Sequence, residues 1–185
     1  MEAIKLLTND HEQVRGLFEQ FRSAQESDDV DRMKAVVTQV FEELEVHTTI
    51  EEEVFYPAVR GQTDAIDETV EESLQEHHVV DVLMNEMRDL TAGSDEWTAK
   101  MTVLMENVEH HAEEEEQELF PDADEQLGDS RMQELGLELQ ERKATAKADL
   151  VTKSELYQKA QQLDIEGRST MRKDELAEAV AAAGG

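Results

Sequence analysis

No cysteine occurs in the 185 residues, which excludes disulfides, thiolate nucleophiles and Cys-based zinc sites. Proline appears only twice and glycine eight times, and aromatics make up 4%. A chain so poor in helix breakers suits helices throughout. No apolar run approaches the ~20 residues of a membrane span, and the opening Met-Glu-Ala-Ile-Lys lacks a signal-peptide layout. The expectation is a soluble, cytoplasmic protein with no membrane partner. Positive charge is also scarce: 17 Lys and Arg against 46 Asp and Glu leave a formal net charge of −29. Such a body repels phosphate, which argues against nucleic acid as its partner, and favours solubility and cations near the surface.

Against these absences stands an internal repeat. His47 to Pro57 reads His-Thr-Thr-Ile-Glu-Glu-Glu-Val-Phe-Tyr-Pro, and His111 to Pro121 reads His-Ala-Glu-Glu-Glu-Glu-Gln-Glu-Leu-Phe-Pro. At an offset of 64, His47, Glu51, Glu52 and Pro57 fall on His111, Glu115, Glu116 and Pro121. Upstream, Val37, Val40, Phe41 and Leu44 fall on Met101, Leu104, Met105 and Val108, an apolar stripe at helical spacing in both copies. Acids fill 46 of 185 positions, so one His-x-x-x-Glu alone means little. Two copies in one register, each on the core stripe, mean more, because i and i+4 stack on one helix face. A carboxylate and an imidazole buried together cost several kcal/mol unless a charge compensates, and a metal is the simplest compensation.

The periodicity predicts four amphipathic helices over 2–26, 31–56, 65–91 and 95–120, with Pro57 and Pro121 as stops. Ser27-Asp28-Asp29, Gly61-Gln62-Thr63-Asp64 and Thr91-Ala92-Gly93-Ser94 serve as connections, the second with Thr63 or Asp64 as a cap and the third supplying the cap of the last helix. Short connections imply an all-α, up-down-up-down four-helix bundle. The first and third helices repeat too, His11 falling on His77. At 1.5 Å per residue, His11, His47, His77 and His111 all lie about 14–18 Å from the same bundle end. Four His and two Glu thus converge on one core layer. Neighbours on a helix point about 100° apart; the internal alignments choose His77 over His78 and His111 over His110. Met84, Met87, Met101, Met105 and Trp97 read as core packing.

Imidazole and carboxylate without sulfur suit iron, manganese or zinc. Two glutamates at one level can bridge two ions ~3.5–4 Å apart, leaving positions open for water, an oxo bridge or O2-derived ligands. Iron makes those positions useful. The set Asp-His11, His47-x-x-x-Glu51 with Phe-Tyr-Pro57, Glu-His77, and His111-x-x-x-Glu115 with Leu-Phe-Pro121 resembles the hemerythrin (HHE cation-binding) family over about residues 1–122. The resemblance implies a carboxylate-bridged, oxo- or hydroxo-bridged pair of iron ions that binds or processes O2, peroxide or NO. It assigns His11, His47, His77 and His111 as terminal ligands and Glu51 and Glu115 as bridges. Oxygen-carrying members use one more His, a turn after the third-helix His; here that position is Asp81, which weakens simple oxygen storage. Catalase-like peroxide decomposition is a further expectation, and Tyr56, where the helix meets Pro57, is a candidate gate or phenol ligand. The alternatives are an oxygen, iron or redox sensor or adaptor, and a zinc-filled or metal-free structural bundle.

After Pro121 the character changes. Residues 1–150 carry 12 basic and 40 acidic side chains, residues 151–185 five and six. The expected division is a bundle over 1–122, a linker helix over 123–150 with Leu127, Met132, Leu135 and Leu139 as apolar anchors, and a small helical module over 151–185. Thr152-Lys153-Ser154-Glu155 reads as a capping box opening the module. Its run Leu-Asp-Ile-Glu-Gly-Arg-Ser-Thr-Met-Arg-Lys-Asp-Glu-Leu resembles the Rho N-terminal, SAP-like helix–extended–helix motif. In such modules the basic residues of the turn, here Lys153, Arg168, Arg172 and Lys173, can meet nucleic acid; docking a protein partner is the competing reading.

Overall fold

A computed structural model of the chain describes residues 2–183, apart from the side chains of Val151, Thr152, Ser154 and Ser169. Among the described residues every regular element is helical: α1 (Ala3–Glu26), α2 (Val30–Ile50), α3 (Tyr56–Val59), α4 (Asp64–Arg88), α5 (Asp95–Glu114), α6 (Phe120–Gln162) and α7 (Lys173–Ala183). The chain is divided between two compact units, Met1–Lys143 and Ala144–Gly185. That division falls inside α6, away from the boundaries expected near 122 and 150.

The ends of the helices follow local chemistry. α1 closes with the Asp29 N–H on the Ala24 carbonyl at 2.9 Å and Asp28 at a φ of 52°, a left-handed closure that Asp tolerates. The Asp29 carboxylate then accepts from the Arg32 N–H and opens α2. Thr63 and Ser94 cap α4 and α5 by accepting from the Ile66 and Trp97 N–H groups.

Neither proline stops its helix. Glu51–Phe55 and Glu115–Leu119 form single π turns, in which the Tyr56 and Phe120 N–H groups reach back to the Glu51 and Glu115 carbonyls. A proline ring in an α-helix collides with the carbonyl four residues earlier and lacks the N–H to satisfy it. The wider π turn removes both conflicts, so Pro57 enters α3 and Pro121 enters α6 in their first turns. α6 also runs through 152 without a break, so the Thr152 box does not begin a helix; its cap contacts lie outside the described side chains.

Within the first unit, α1 packs on α2 and on α5, and α4 packs on α5. Two apolar clusters result. One gathers Val14, Phe18, Phe21, Val40, Leu44, Met84, Met101, Met105 and Trp97. The other gathers Leu7, Ile50, Phe55, Tyr56, Ile66, Leu119 and Phe120 with Met132, Leu135 and Leu139 of α6. Between the two, α1, α2, α4 and α5 each carry one buried histidine: His11, His47, His77 and His111. The stretch read as a linker therefore closes the bundle end beneath the histidine layer.

Gly128 makes that closure feasible. Its φ of 72° and ψ of 166° break the helical path of α6, in a backbone region that only glycine enters without strain. Gly128→Ala should lower the stability of the first unit by about 1–3 kcal/mol, read as a lower urea midpoint at unchanged slope. An unaltered midpoint would mean the bend is not required.

Candidate metal centre

The π turns place two glutamates in an apolar interior. Glu51 and Glu115 each begin a π turn, and both are fully buried. Glu51 Oε1 lies 3.2 Å from His47 Nε2 and Glu51 Oε2 lies 3.4 Å from His77 Nε2. Glu115 Oε2 lies 3.4 Å from His11 Nε2 and 3.5 Å from His111 Nε2. Each carboxylate therefore touches both hairpins. The imidazoles pair head to head, His11 with His47 at 3.0 Å and His77 with His111 at 3.2 Å between Nε2 atoms. All six residues expected from the sequence come together. His78 and Asp81 are exposed, as is His110, so the internal alignments pick the inward histidine of each doublet.

Sequence reasoning missed the groups behind the imidazoles. His11 Nδ1 meets Glu116 Oε1 at 2.8 Å, His77 Nδ1 meets Glu52 Oε1 at 2.9 Å, and His111 Nδ1 meets Glu76 Oε2 at 2.9 Å. His47 Nδ1 lies 3.7 Å from Asp10 Oδ2. An imidazole that donates Nδ1–H outward turns its Nε2 lone pair inward, as a metal ligand must. The signal was present: Glu52 matches Glu116 in the repeat, and Asp10 and Glu76 each precede an aligned histidine.

The electrostatics of this layer are unbalanced without a cation. Among the described residues, Glu51 Oε1, Glu51 Oε2 and Glu115 Oε2 make no hydrogen bond. Burial and the neighbouring Glu115 push the Glu51 carboxyl well above its ordinary range, since two adjacent buried carboxylates resist ionising together. Burial holds the His47 imidazole neutral, with its pKa down at about 4. Burial also opposes protonation of His11 and His111, but the surrounding carboxylates together outweigh it and raise both, Glu115 with Glu51 and Glu116 for His11 and Glu115 with Glu76 and Glu51 for His111. Orphaned oxygens facing inward nitrogens, with His11, His47, Glu51 and Glu115 in one group and Glu51, His77 and His111 in another, all within 4.8 Å, fit two cations sharing a carboxylate.

Tyr56 lies inside the layer. Its hydroxyl donates to Glu115 Oε1 at 2.9 Å and stands 3.4 Å from His77 Nε2. Burial, with Glu115 next, lifts the phenol well above its usual range, so it keeps its proton. The repeat puts Phe120 at the matching place, stacked on His11 at 5.8 Å between ring centres. Beside the imidazoles is a cavity of about 20 Å³, lined by all four histidines and by Val14, Leu44, Val80 and Val108, with half-buried Arg15, Thr48 and Glu109 at its edge. That is room for one molecule of about the size of water.

In the second unit the basic candidates face carboxylates of the same unit or its own aromatic ring. Arg172 pairs with Asp174, Lys173 with Asp149, and Arg168 lies 6.0 Å over the Tyr157 ring. Lys153, on α6, is half-buried. Among the described residues no helix is long and apolar enough to cross a membrane.

Residues 2–123 match the family model of the Hemerythrin HHE cation binding domain, and residues 151–183 that of the Rho termination factor N-terminal domain. A crystal structure of a hemerythrin HHE cation-binding domain-containing protein from Mycobacterium kansasii is similar over 99% of both chains, with a TM-score of 0.69 and 20% identity. That likeness is one of fold. No curated protein matches the sequence.

Replacing an outer carboxylate should weaken metal binding while leaving the helices intact. Glu52→Gln and Glu76→Gln are each expected to lose about 10–100-fold in affinity in a metal-competition titration, whereas His78→Ala should be silent. Equal affinities for all three variants would show that the outer carboxylates do not orient the imidazoles.

Proposed function

The chain belongs to the hemerythrin HHE cation-binding family, and from that membership we propose that it is a non-heme diiron protein acting on small oxygen-derived molecules: O2, peroxide or NO. The buried cluster makes it metal-binding; the choice of iron, the count of two and the nature of the small ligand are our reading. The observation that carries it is Glu51, whose two unpartnered oxygens face different histidine pairs. Iron held there would supply electrons and open coordination positions.

The chain's own residues account for the rest. His11, His47, His77 and His111 would hold the ions terminally, with Glu51 and Glu115 spanning them. Glu116, Glu52 and Glu76 fix three of the four imidazoles. The valines and leucine of the adjoining cavity exclude bulk water and admit only a small, weakly polar guest. Tyr56 holds a proton at Oη against Glu115, the one phenol so placed, and is suited to orient that carboxylate or to close the position beside His77. The exposed Asp81 offers no further imidazole, which favours processing of oxygen species over their storage.

Protein from iron-supplemented culture should contain about two iron atoms per chain, show near-ultraviolet absorption and decompose added peroxide. Colourless protein holding zinc would leave only a structural bundle, while coloured protein inert to peroxide would favour sensing. Tyr56→Phe should shift the optical spectrum or slow peroxide loss; no change in either would reduce Tyr56 to packing.

A further inference from the structure

The repeat gives the two halves of the cluster equal imidazoles, but the groups behind them differ. Behind His11 and His47 each outer carboxylate is tied to a permanent cation. The Lys143 ammonium on α6 pairs with Asp10, and the Arg15 guanidinium reaches Glu116 at 2.8 Å while also holding Glu109 at 3.0 Å. Behind His77 and His111, neither Glu52 nor Glu76 has a Lys or Arg partner among the described residues; Glu76 has only the exposed His110, at 3.9 Å.

Two further contrasts run the same way. His77 and His111 both donate through Nδ1 over 2.9 Å, whereas on the other side His11 alone does so, to Glu116 at 2.8 Å, and His47 Nδ1 makes no hydrogen bond. An imidazole that leans on a carboxylate is the stronger ligand. The His77 side also has the Tyr56 oxygen 3.4 Å from Nε2, where the His11 side has the apolar face of Phe120. Fixed positive charge near one half and unneutralised carboxylates near the other bias any incoming cation, because such charges are weakly screened in a protein interior.

We propose that the two metal positions are unequal: the ion between His77 and His111 binds more tightly and enters first, and Lys143 and Arg15 hold back the ion between His11 and His47. This rests on the two-ion reading above. It also gives α6 a part in tuning the centre, since Lys143 acts on His47 through Asp10.

Two binding steps alone would prove nothing, because two like-charged ions sharing carboxylates repel each other. The test therefore isolates each position and titrates metal-free full-length protein with Co2+, read by its d–d absorption and by calorimetry. His47→Asn leaves the His77 position and should bind one Co2+ about tenfold more tightly than His77→Asn, which leaves the other; tenfold corresponds to about 1.4 kcal/mol. Adding Lys143→Gln should tighten binding in the His77→Asn protein and leave the His47→Asn protein unchanged. Arg142→Gln, which removes the α6 pairing with Glu53, should alter neither.

Equal affinities in the two single variants, the reverse order, or equal responses to Lys143→Gln and Arg142→Gln would overturn the proposal. Should a His variant lose helical circular dichroism, wild-type and Lys143→Gln proteins compared directly still decide it, since the weaker step alone should move. Wild-type protein that takes up fewer than two Co2+ would instead count against the two-ion reading itself.

Discussion

Two carboxylates buried side by side, without enough hydrogen bonds to satisfy them, are the constraint around which this bundle is built. Glu51 and Glu115 lie fully buried between an upper and a lower apolar cluster. Carboxylates so placed are costly unless cations neutralise them. The fold meets that cost with a shell: four imidazoles turned inward, and behind them outer acids that set the direction of three of those imidazoles. Apolar packing above and below keeps water away, so the charges act on one another and on whatever ion enters.

The π turns are the local device that delivers the glutamates. An α-helix carrying the ligand histidine widens by one residue at the glutamate, and the same widening lets a proline pass six places later without breaking the rod. The neighbouring glutamate then points the other way. Glu51 faces inward while Glu52 leaves the core and returns to His77 from outside; Glu115 and Glu116 do the same for His11. One turn of backbone thus supplies both an inner carboxylate and an outer anchor to the same histidine of another helix.

Much of this was legible in the sequence because it is written twice. The offset of 64 aligned His47 and Glu51 with His111 and Glu115, and counting residues from the helix ends put His11 and His77 at the same depth. The alignment of the first helix with the third also separated His77 from His78. What escaped did so for physical reasons. Proline reads as a helix stop by its local sterics, and only the tertiary demand for an inward glutamate reveals a π turn. The acids Asp10, Glu52, Glu76 and Glu116 were hidden among 46 acidic residues, most of them solvated. Lys143 lies on a stretch with few apolar residues, and its bearing on Asp10 appears only once Met132, Leu135 and Leu139 dock under the bundle.

The central claim is that one layer of six side chains grips two ions at bonding distance from a shared carboxylate. Iron-edge X-ray absorption on iron-loaded protein tests it most directly. The account predicts a shell of nitrogen and oxygen ligands with about two imidazoles per iron and an iron–iron vector of about 3.5 Å. A spectrum without any iron–iron vector, or one iron per chain in an all-oxygen shell, would contradict it.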